Sequence, residues 1–344
     1  MQLFDTLASM GHEEIVLCSD PSCGYRGILA VHSTKLGPAL GGTRFWAYPN
    51  DEAAITDALR LSRGMTYKNA VAGLNLGGGK SIIIGDNRTK DREKIFRAHG
   101  RFIESLGGRY ITAEDVGTST SDMDFVHMET GHVAGLAGKS GDPSPVTAHG
   151  VFRAVQASAN RKWGSDSLEG KTVTVQGCGH VGQYLSRELH DAGAKLIVSD
   201  IDPARAKKVA EMTGAKVVEG DAIYSAAADI FAPCAMGAII NDQTIPKLKV
   251  QVIAGSANNQ LLEERHGDVL QKKGILYAPD YVANAGGVIN VYGEVAGWDA
   301  QRALDKADDI YDTVLRVFDI AEADHIPTYE AADRLAEQRL AAAH

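Results

Sequence analysis

The stretch Val173-Thr174-Val175-Gln176-Gly177-Cys178-Gly179-His180-Val181-Gly182 constrains this chain more than any other, because a β-branched run meets G-x-G-x-x-G where a helix should begin. In that pattern Gly177 makes the tight turn, Gly179 lets a pyrophosphate reach the backbone, and Gly182 allows the helix to pack closely on the strand. His180 and Val181 stand at the helix N-terminus, where the phosphates sit, and join the candidate cofactor residues. The next predicted strand, 195–200, ends in Asp200, eighteen residues beyond Gly182, about where a ribose 2′-hydroxyl is gripped. An acid there repels a 2′-phosphate, so NAD is the expected cofactor, with Arg205 softening the preference over NADP.

A chain of 344 residues exceeds one typical core, and two domains are expected. Its net charge of −9 argues against nucleic acid as a partner, and no cluster of Lys or Arg opposes that reading. No apolar run approaches the roughly 20 residues that span a bilayer. Residues Met1 to Asp5 lack a basic segment followed by an apolar one, so no export signal is expected. Four cysteines in so long a chain make no disulfide framework. Cys18 and Cys23 flank a Pro-Ser turn without a second ligand pair, so no metal site is expected. Together these features predict a cytoplasmic protein.

The first part reads as a separate α/β unit. It should hold a helix over 3–10, a hairpin of strands 14–18 and 27–32, and a helix from Asp51 with Ile55, Leu59, Ser62 and Met65 on one face. Further helices are predicted over 91–106 and 119–136, with a strand over 109–115 between them. Gly138 to Pro145 is too rich in glycine and proline for regular structure, and the domain hinge is placed there. Beyond it, strands near 171–176, 195–200, 215–218, 229–231, 250–254 and 275–278 alternate with helices, as in a doubly wound parallel sheet. Two long helices, 299–324 and 327–341, close the chain. The expected domains are 1–137, with 325–344 returning to it, and 138–324.

A second motif carries chemistry. Gly77-Gly78-Gly79-Lys80, preceded by Leu74 and Leu76 and followed by the predicted strand 81–84, places one lysine among apolar neighbours and side-chain-free backbone. Lost solvation lowers a lysine's pKa, which makes a general base. The plain alternative is a turn with a solvated charge. Lys68, in Met65-Thr66-Tyr67-Lys68-Asn69-Ala70, is a second cation, and repulsion between two lysines should ease the proton off the drier one. Gly37 to Arg44 offers backbone amides, and Thr112 to Gly117 puts the carboxylate of Asp115 at a strand end. Lys68 and Asp115 would otherwise be read as a structural ion pair. In the later part, 253–260 and 279–288 fall where strands deliver residues to a cofactor cleft. His12, His127 and His132 read as surface or packing residues.

Taken together these motifs resemble the leucine/phenylalanine/valine dehydrogenases, relatives of glutamate dehydrogenase, from Leu3 to about Leu340, with leucine dehydrogenase the nearest branch. The resemblance implies an N-terminal α/β substrate domain, a C-terminal Rossmann-type NAD-binding domain, and a cleft between them. It implies reversible oxidative deamination of an L-amino acid to a 2-oxo acid and ammonia, by a homo-oligomer. Carried over by position, Lys80 is the catalytic base, Asp115 shuttles the proton of the amino group, and Lys68 pairs with the substrate carboxylate. Gly41 and Gly42 seat the substrate, and Thr147, Asn258 and Asn259 border nicotinamide and substrate, Asn258 assigned to the cofactor and Asn259 to the substrate without a basis for separating them. Met65, Leu40, Ala113, Ala134, Val288 and Val291 line the side-chain pocket. Relatives acting on glutamate carry a lysine at the position of Leu40; without any charge, this pocket would strip a dicarboxylate of water and offer no partner. Leucine, isoleucine and valine are therefore the expected substrates. Leucine dehydrogenases usually have threonine where this chain has Ala134, which opens the pocket towards phenylalanine or tryptophan. A non-catalytic nucleotide-binding protein of the same fold is the remaining alternative, disfavoured by the presence of Lys68, Lys80 and Asp115 together.

Overall fold

Apolar alternation in the first 120 residues builds a sheet that carries a helical layer on each face. In chain order the elements are α1 (Leu3–Met10), β1 (Glu14–Asp20), β2 (Tyr25–Ser33), β3 (Ala39–Leu40), β4 (Thr43–Trp46), α2 (Asp51–Val71), β5 (Gly77–Ile84), α3 (Arg92–Glu104), β6 (Tyr110–Ile111) and α4 (Thr120–His127). The structure, a computed structural model, describes residues 2–136, 139 and 141–343. Strand order is β1-β2-β5-β3-β6, with β4 also paired to β5. Successive residues of β2 face opposite ways: Leu29 and Val31 join Phe45, Phe96 and Tyr110 in one core, whereas Ile28 and Ala30 join Ala58, Leu59 and Ile82 in the other.

The three glycines lie inside β5 rather than in a turn before it, and they serve packing. A Cβ on Gly78 would stand 2.0 Å from the backbone nitrogen of Thr66, so α2 rests directly on the strand. Arg339 secures the far end of α2. Its guanidinium donates to the carbonyls of Asn69 (3.2 Å) and Ala70 (2.9 Å), which also accept from the amides of Leu74 and Gly73 in the turn that ends the helix.

The second sheet is parallel throughout. It follows α5 (Ser144–Trp163) and comprises β7 (Thr172–Gln176), α6 (His180–Asp191), β8 (Lys195–Ser199), α7 (Pro203–Thr213), β9 (Lys216–Val217), α8 (Ala222–Ser225), β10 (Ile230–Pro233), β11 (Val252–Ile253), α9 (Arg265–Lys272) and β12 (Leu276–Tyr277). The order β12-β11-β10-β7-β8-β9 is the doubly wound arrangement expected from the sequence. Helices α10 (Asp280–Ala283), α11 (Gly286–Ala296), α12 (Ala300–Asp308), α13 (Ile310–Asp324) and α14 (Thr328–Ala342) complete the chain. Among the described residues no helix is long and apolar enough to cross a membrane.

Several sequence expectations need correction. The helix predicted over 119–136 stops at His127. Gly135 adopts φ 80°, Val133 bridges to Thr112, and the Ala134 amide donates to the Thr112 carbonyl at 2.8 Å, so this apolar stretch adds to the sheet. The strand predicted over 109–115 is regular only at Tyr110–Ile111. The helix predicted over 299–324 is two, parted at Asp309. The expected hinge, Gly138 to Pro145, falls partly on residues 138 and 140, outside the described residues. The chain divides into one unit of 1–141, 291–298 and 336–344 and another of 142–290 and 299–335. Residues 325–335 thus pack with the second unit rather than the first, and 291–298, at the end of α11, pack with the first.

Gly78→Ala is expected to destabilise the first unit by about 1–3 kcal/mol, the cost of overpacking a close helix–strand contact. Denaturant unfolding measures this, and a midpoint equal to that of the parent chain would mean that α2 withdraws from β5 without cost.

Candidate functional site

In the first unit, the side chain of Lys80 projects from β5 and is only 5% exposed. Its Nζ donates to Oδ2 of Asp115 at 2.7 Å, and the same oxygen accepts from Nε of Arg44 at 3.2 Å. Burial lowers the pKa of Lys80, an effect that Asp115 opposes and Arg44 reinforces. Burial pushes the Asp115 carboxyl up, yet Lys80 and Arg44 outweigh it and hold the group below its ordinary value. Asp115 is therefore an anion between two cations, and burial makes the ammonium of Lys80 easier to deprotonate than an exposed one. Arg44 supplies a repulsion that the sequence reading sought in Lys68 alone.

The neighbouring residues are brought together by backbone bonds between strand ends. The amide of Gly41 donates to the carbonyl of Ile111 at 3.2 Å, and that of Thr43 to Ala113 at 2.8 Å. Gly41 is thus buried and its amide engaged, so it does not offer the free donor expected from the sequence. It contributes closeness instead: a Cβ there would meet the Gly79 carbonyl oxygen and Met65, and one on Gly42 would meet Asp115. Lys68 follows Met65 by three residues on α2, one turn along the same face. Leu40, Ala113 and Ala134 are all buried on these adjoining segments. Glu294 ties in the end of α11, its carboxylate accepting from the amides of Gly135 (3.0 Å) and Leu136 (3.4 Å). Val291 lies three residues before Glu294 on the same helix, and Val288 one turn earlier, in the part of α11 that packs with the second unit.

Beneath the glycine loop runs a buried polar chain that sequence reasoning missed. The Tyr110 hydroxyl donates to the Gly41 carbonyl at 2.5 Å, and Thr43 Oγ1 sits 2.8 Å from Ser81, 2.6 Å from Thr112 and 2.9 Å from Nε2 of His99. Burial drives the pKa of His99 down to about 3, so it is a neutral hydrogen-bonding group. No spacing rule joins these residues, which lie on four separate stretches of the chain.

The second unit gathers its candidates at the C-terminal ends of its strands. Gly177 has φ 98°, and a Cβ on Gly182 would stand 2.0 Å from the carbonyl oxygen of Gly177, so both glycines are required by the turn. Gly179, the N-cap of α6, differs: a Cβ there would meet nothing within 4 Å, so no neighbouring protein atom requires glycine at this position. The side chain of His180 is largely exposed, and Val181 is partly buried. Asp200 accepts from the amides of Cys178 (2.6 Å, at Oδ2) and Asp202 (2.8 Å, at Oδ1), which fixes it against the glycine turn. Oδ1 of Asn258 accepts from Nδ2 of the buried Asn284 at 2.8 Å, whereas Asn259 takes a left-handed backbone with φ 50°. The hydroxyl of Thr147 donates to Pro143 at 2.9 Å, and a Cβ on Gly287 would approach it to 3.1 Å. Thr147, Asn258 and Val288 are in this way assembled around the start of α11. A backbone cradle with an anion fixed at its rim fits the phosphates and ribose of a nicotinamide dinucleotide.

The family model described as "Glu/Leu/Phe/Val dehydrogenase, dimerisation domain" matches residues 12–132, and "Glutamate/Leucine/Phenylalanine/Valine dehydrogenase" matches 138–204 and 198–344. The chain is 58% identical to leucine dehydrogenase of Thermoactinomyces intermedius over 343 residues, covering 99% of this chain and 94% of that one. It resembles the crystal structure of L-tryptophan dehydrogenase from Nostoc punctiforme with a TM-score of 0.91 and 48% identity over 98% of each chain. A glutamate dehydrogenase structure from Thermus thermophilus, at 21% identity and a TM-score of 0.79 over 99% of this chain and 96% of that one, shares the fold.

Gly179→Ala is expected to keep the stability of the parent chain while weakening NADH binding about tenfold, or ~1.4 kcal/mol. Fluorescence titration alongside a thermal melt tests this; unchanged affinity would remove Gly179 from the phosphate seat.

Proposed function

The chain belongs to the Glu/Leu/Phe/Val dehydrogenase family and is an amino acid dehydrogenase; we propose that it carries out the reversible, NAD-dependent oxidative deamination of leucine, isoleucine and valine to their 2-oxo acids and ammonia. The observation that carries this reading is Lys80, buried and 2.7 Å from Asp115. Burial favours the neutral form of a lysine in that position, the form that can take up a proton. Its partner holds an anion ready to exchange one.

The residues divide the work by charge. The ammonium of Lys68 pairs with the substrate carboxylate, and the loop at Gly41 and Gly42 sets the height of Cα above β5. A bound nicotinamide would accept the hydride that leaves Cα. Asp115 exchanges the proton of the substrate nitrogen, and neutral Lys80 takes the proton from the water that adds to Cα of the resulting iminium. The apolar side chains of Leu40, Ala113, Ala134 and Val291 accept the substrate side chain, with Met65 at their edge; Val288 and Asn259 are assigned to the substrate from the family motifs. NAD is preferred because Asp200 stands at the rim of the glycine turn. Thr147 and Asn258 border the nicotinamide. The match of residues 12–132 to a dimerisation domain supports assembly as a homo-oligomer. A preference for aromatic substrates is the second reading, favoured by the small Ala134 and by 50% identity to L-tryptophan dehydrogenase of Nostoc punctiforme.

A panel of 2-oxo acids with ammonia and NADH tests the proposal by loss of nicotinamide absorbance. Branched aliphatic acids are expected to give the highest kcat/KM, and Lys80→Ala to lower turnover about 10²- to 10⁴-fold with NADH affinity retained. A higher kcat/KM for phenylpyruvate or indolepyruvate would overturn the aliphatic assignment, and near-normal turnover by the variant would remove Lys80 from the mechanism.

Asp200→Asn keeps a carbonyl acceptor for the Cys178 amide but removes the charge, so the ratio of NADP to NAD activity should rise. An unchanged ratio in a variant of normal melting temperature would leave Asp200 with a role in the turn alone.

A further inference from the structure

The arginine closing the Gly41-Gly42-Thr43-Arg44 segment has its side chain inside the site. Its Nε lies 3.2 Å from Oδ2 of Asp115, and its Nη1 lies 2.9 Å from Oδ2 of Asp57. Asp57 is held in turn by the hydroxyl of Tyr48 at 2.6 Å and by Arg60 at 3.3 Å. A guanidinium is planar and always charged, and two of its N–H groups are committed in fixed directions to two carboxylates. Lys80 Nζ and Arg44 Nε thus converge on one oxygen of Asp115.

We propose that Arg44, anchored by Asp57 and Tyr48, is the positioning residue of the proton exchange: it holds Asp115 in place as an anion while Lys80 is neutral. The inference rests on the dehydrogenase reading above. A base that must shed its proton beside a carboxylate faces a conflict, since the anion that orients the amine also favours its charged form. A second, permanent cation on the same oxygen resolves the conflict. Asp115 then keeps a partner throughout, and the ammonium is repelled. Burial, Asp115, Arg44 and Asp57 are the leading influences on Lys80, in that order, with Asp115 and Asp57 favouring the charged amine and Arg44 opposing it. The other ionisable groups around this cluster are Tyr110 of β6, Lys68 and Arg60 of α2, and Tyr48, whose proton is retained by burial and by Asp57.

The signs differ between variants, and that makes the test decisive. Arg44→Gln removes the repulsion, so Lys80 should hold its proton to higher pH. Asp57→Asn removes an anion that favours the charged amine, so Lys80 should lose its proton at lower pH. Arg44→Lys keeps the charge but not the two-pronged geometry. Steady-state deamination of leucine with NAD is measured against pH for the parent and the three variants. The substrate amine titrates identically in all four, so differences belong to the protein. Arg44→Gln is expected to lower kcat by about tenfold to a hundredfold, as a misplaced reacting group does, with the KM for NAD unchanged and the rising limb of kcat/KM moved to higher pH. Asp57→Asn should move that limb to lower pH, and Arg44→Lys should return it towards the parent position while kcat stays low. Limbs that coincide, or that move the same way in Arg44→Gln and Asp57→Asn, overturn the proposal. If Arg44→Gln does not fold, Asp57→Asn and Arg44→Lys decide it alone: a limb moved down in the first and near the parent in the second supports the proposal, and any other pair of positions overturns it. A parent protein inactive on every amino acid would instead overturn the dehydrogenase reading.

Discussion

Burial of the Lys80 ammonium against Asp115 is the interaction on which the rest of the first unit depends. Removing a lysine from water costs several kcal/mol unless a partner of opposite charge comes with it, and breaking such a pair leaves an uncompensated charge. The partner is reached only because β5 runs beside β4 and the segment that ends in Asp115. Dryness is reached only because α2 lies directly on the strand, which glycine at position 78 permits. The residues that appear to invite a ligand therefore act first to exclude water. Packing and chemistry have one cause here, since the lost solvation that makes Lys80 costly to bury also prepares it to accept a proton.

The cluster is balanced in charge. In its inner part Lys80 and Arg44 face Asp115 and Asp57, two cations against two anions, with Tyr48 hydrogen-bonded to the outer carboxylate and the exposed Arg60 reaching it from the surface. Balance of this kind lets one proton move without leaving a bare buried charge, because each carboxylate keeps a guanidinium contact when the amine becomes neutral. The polar chain from Tyr25 through His99, Thr43 and Tyr110 to the Gly41 carbonyl acts differently. It carries no charge at neutral pH, since burial keeps His99 unprotonated. Its contribution is directional, fixing the height of the Gly41-Gly42 loop over the sheet.

Much of this was legible in the sequence where one residue or one short spacing determines the physics. A β-branched strand running into Gly177, Gly179 and Gly182 reads directly, as does a lysine behind three glycines. Three kinds of feature did not read. Val133 and Ala134 fall within the stretch that reads as a helix over 119–136, but a left-handed Gly135 and a backbone bond to Thr112 give them to the sheet. Arg44, Asp57 and Asp115 meet from positions 13 and 71 residues apart, a proximity that only the register of β4 on β5 and the seating of α2 create. The split of α11 and α14 between the two units is likewise invisible in their periodicity, since a continuous helix has the same 3.6-residue repeat whichever unit packs against each end.

Specificity is the property that overall likeness decides least. Leucine and tryptophan dehydrogenases both match this chain over nearly its full length, at 58% and 50% identity, and the fold is shared even with a glutamate dehydrogenase at 21%. What separates these substrates physically is of two unequal sizes. In the pocket proposed at Leu40, Ala113 and Ala134, a distal carboxylate would lose its water with no charged side chain among those three residues to pair with, at a cost of several kcal/mol. Aliphatic and aromatic side chains differ only in volume, and one methylene in an apolar pocket is worth roughly 1–3 kcal/mol. Charge therefore sets a sharp boundary and shape a graded one. Ala113 and Ala134 are buried on neighbouring segments, with the Ala134 amide bonded to the carbonyl that precedes Ala113. In the proposed pocket a methyl lost or gained at either position would change the same wall, so the balance between leucine and larger substrates would rest on their combined volume rather than on either residue by itself.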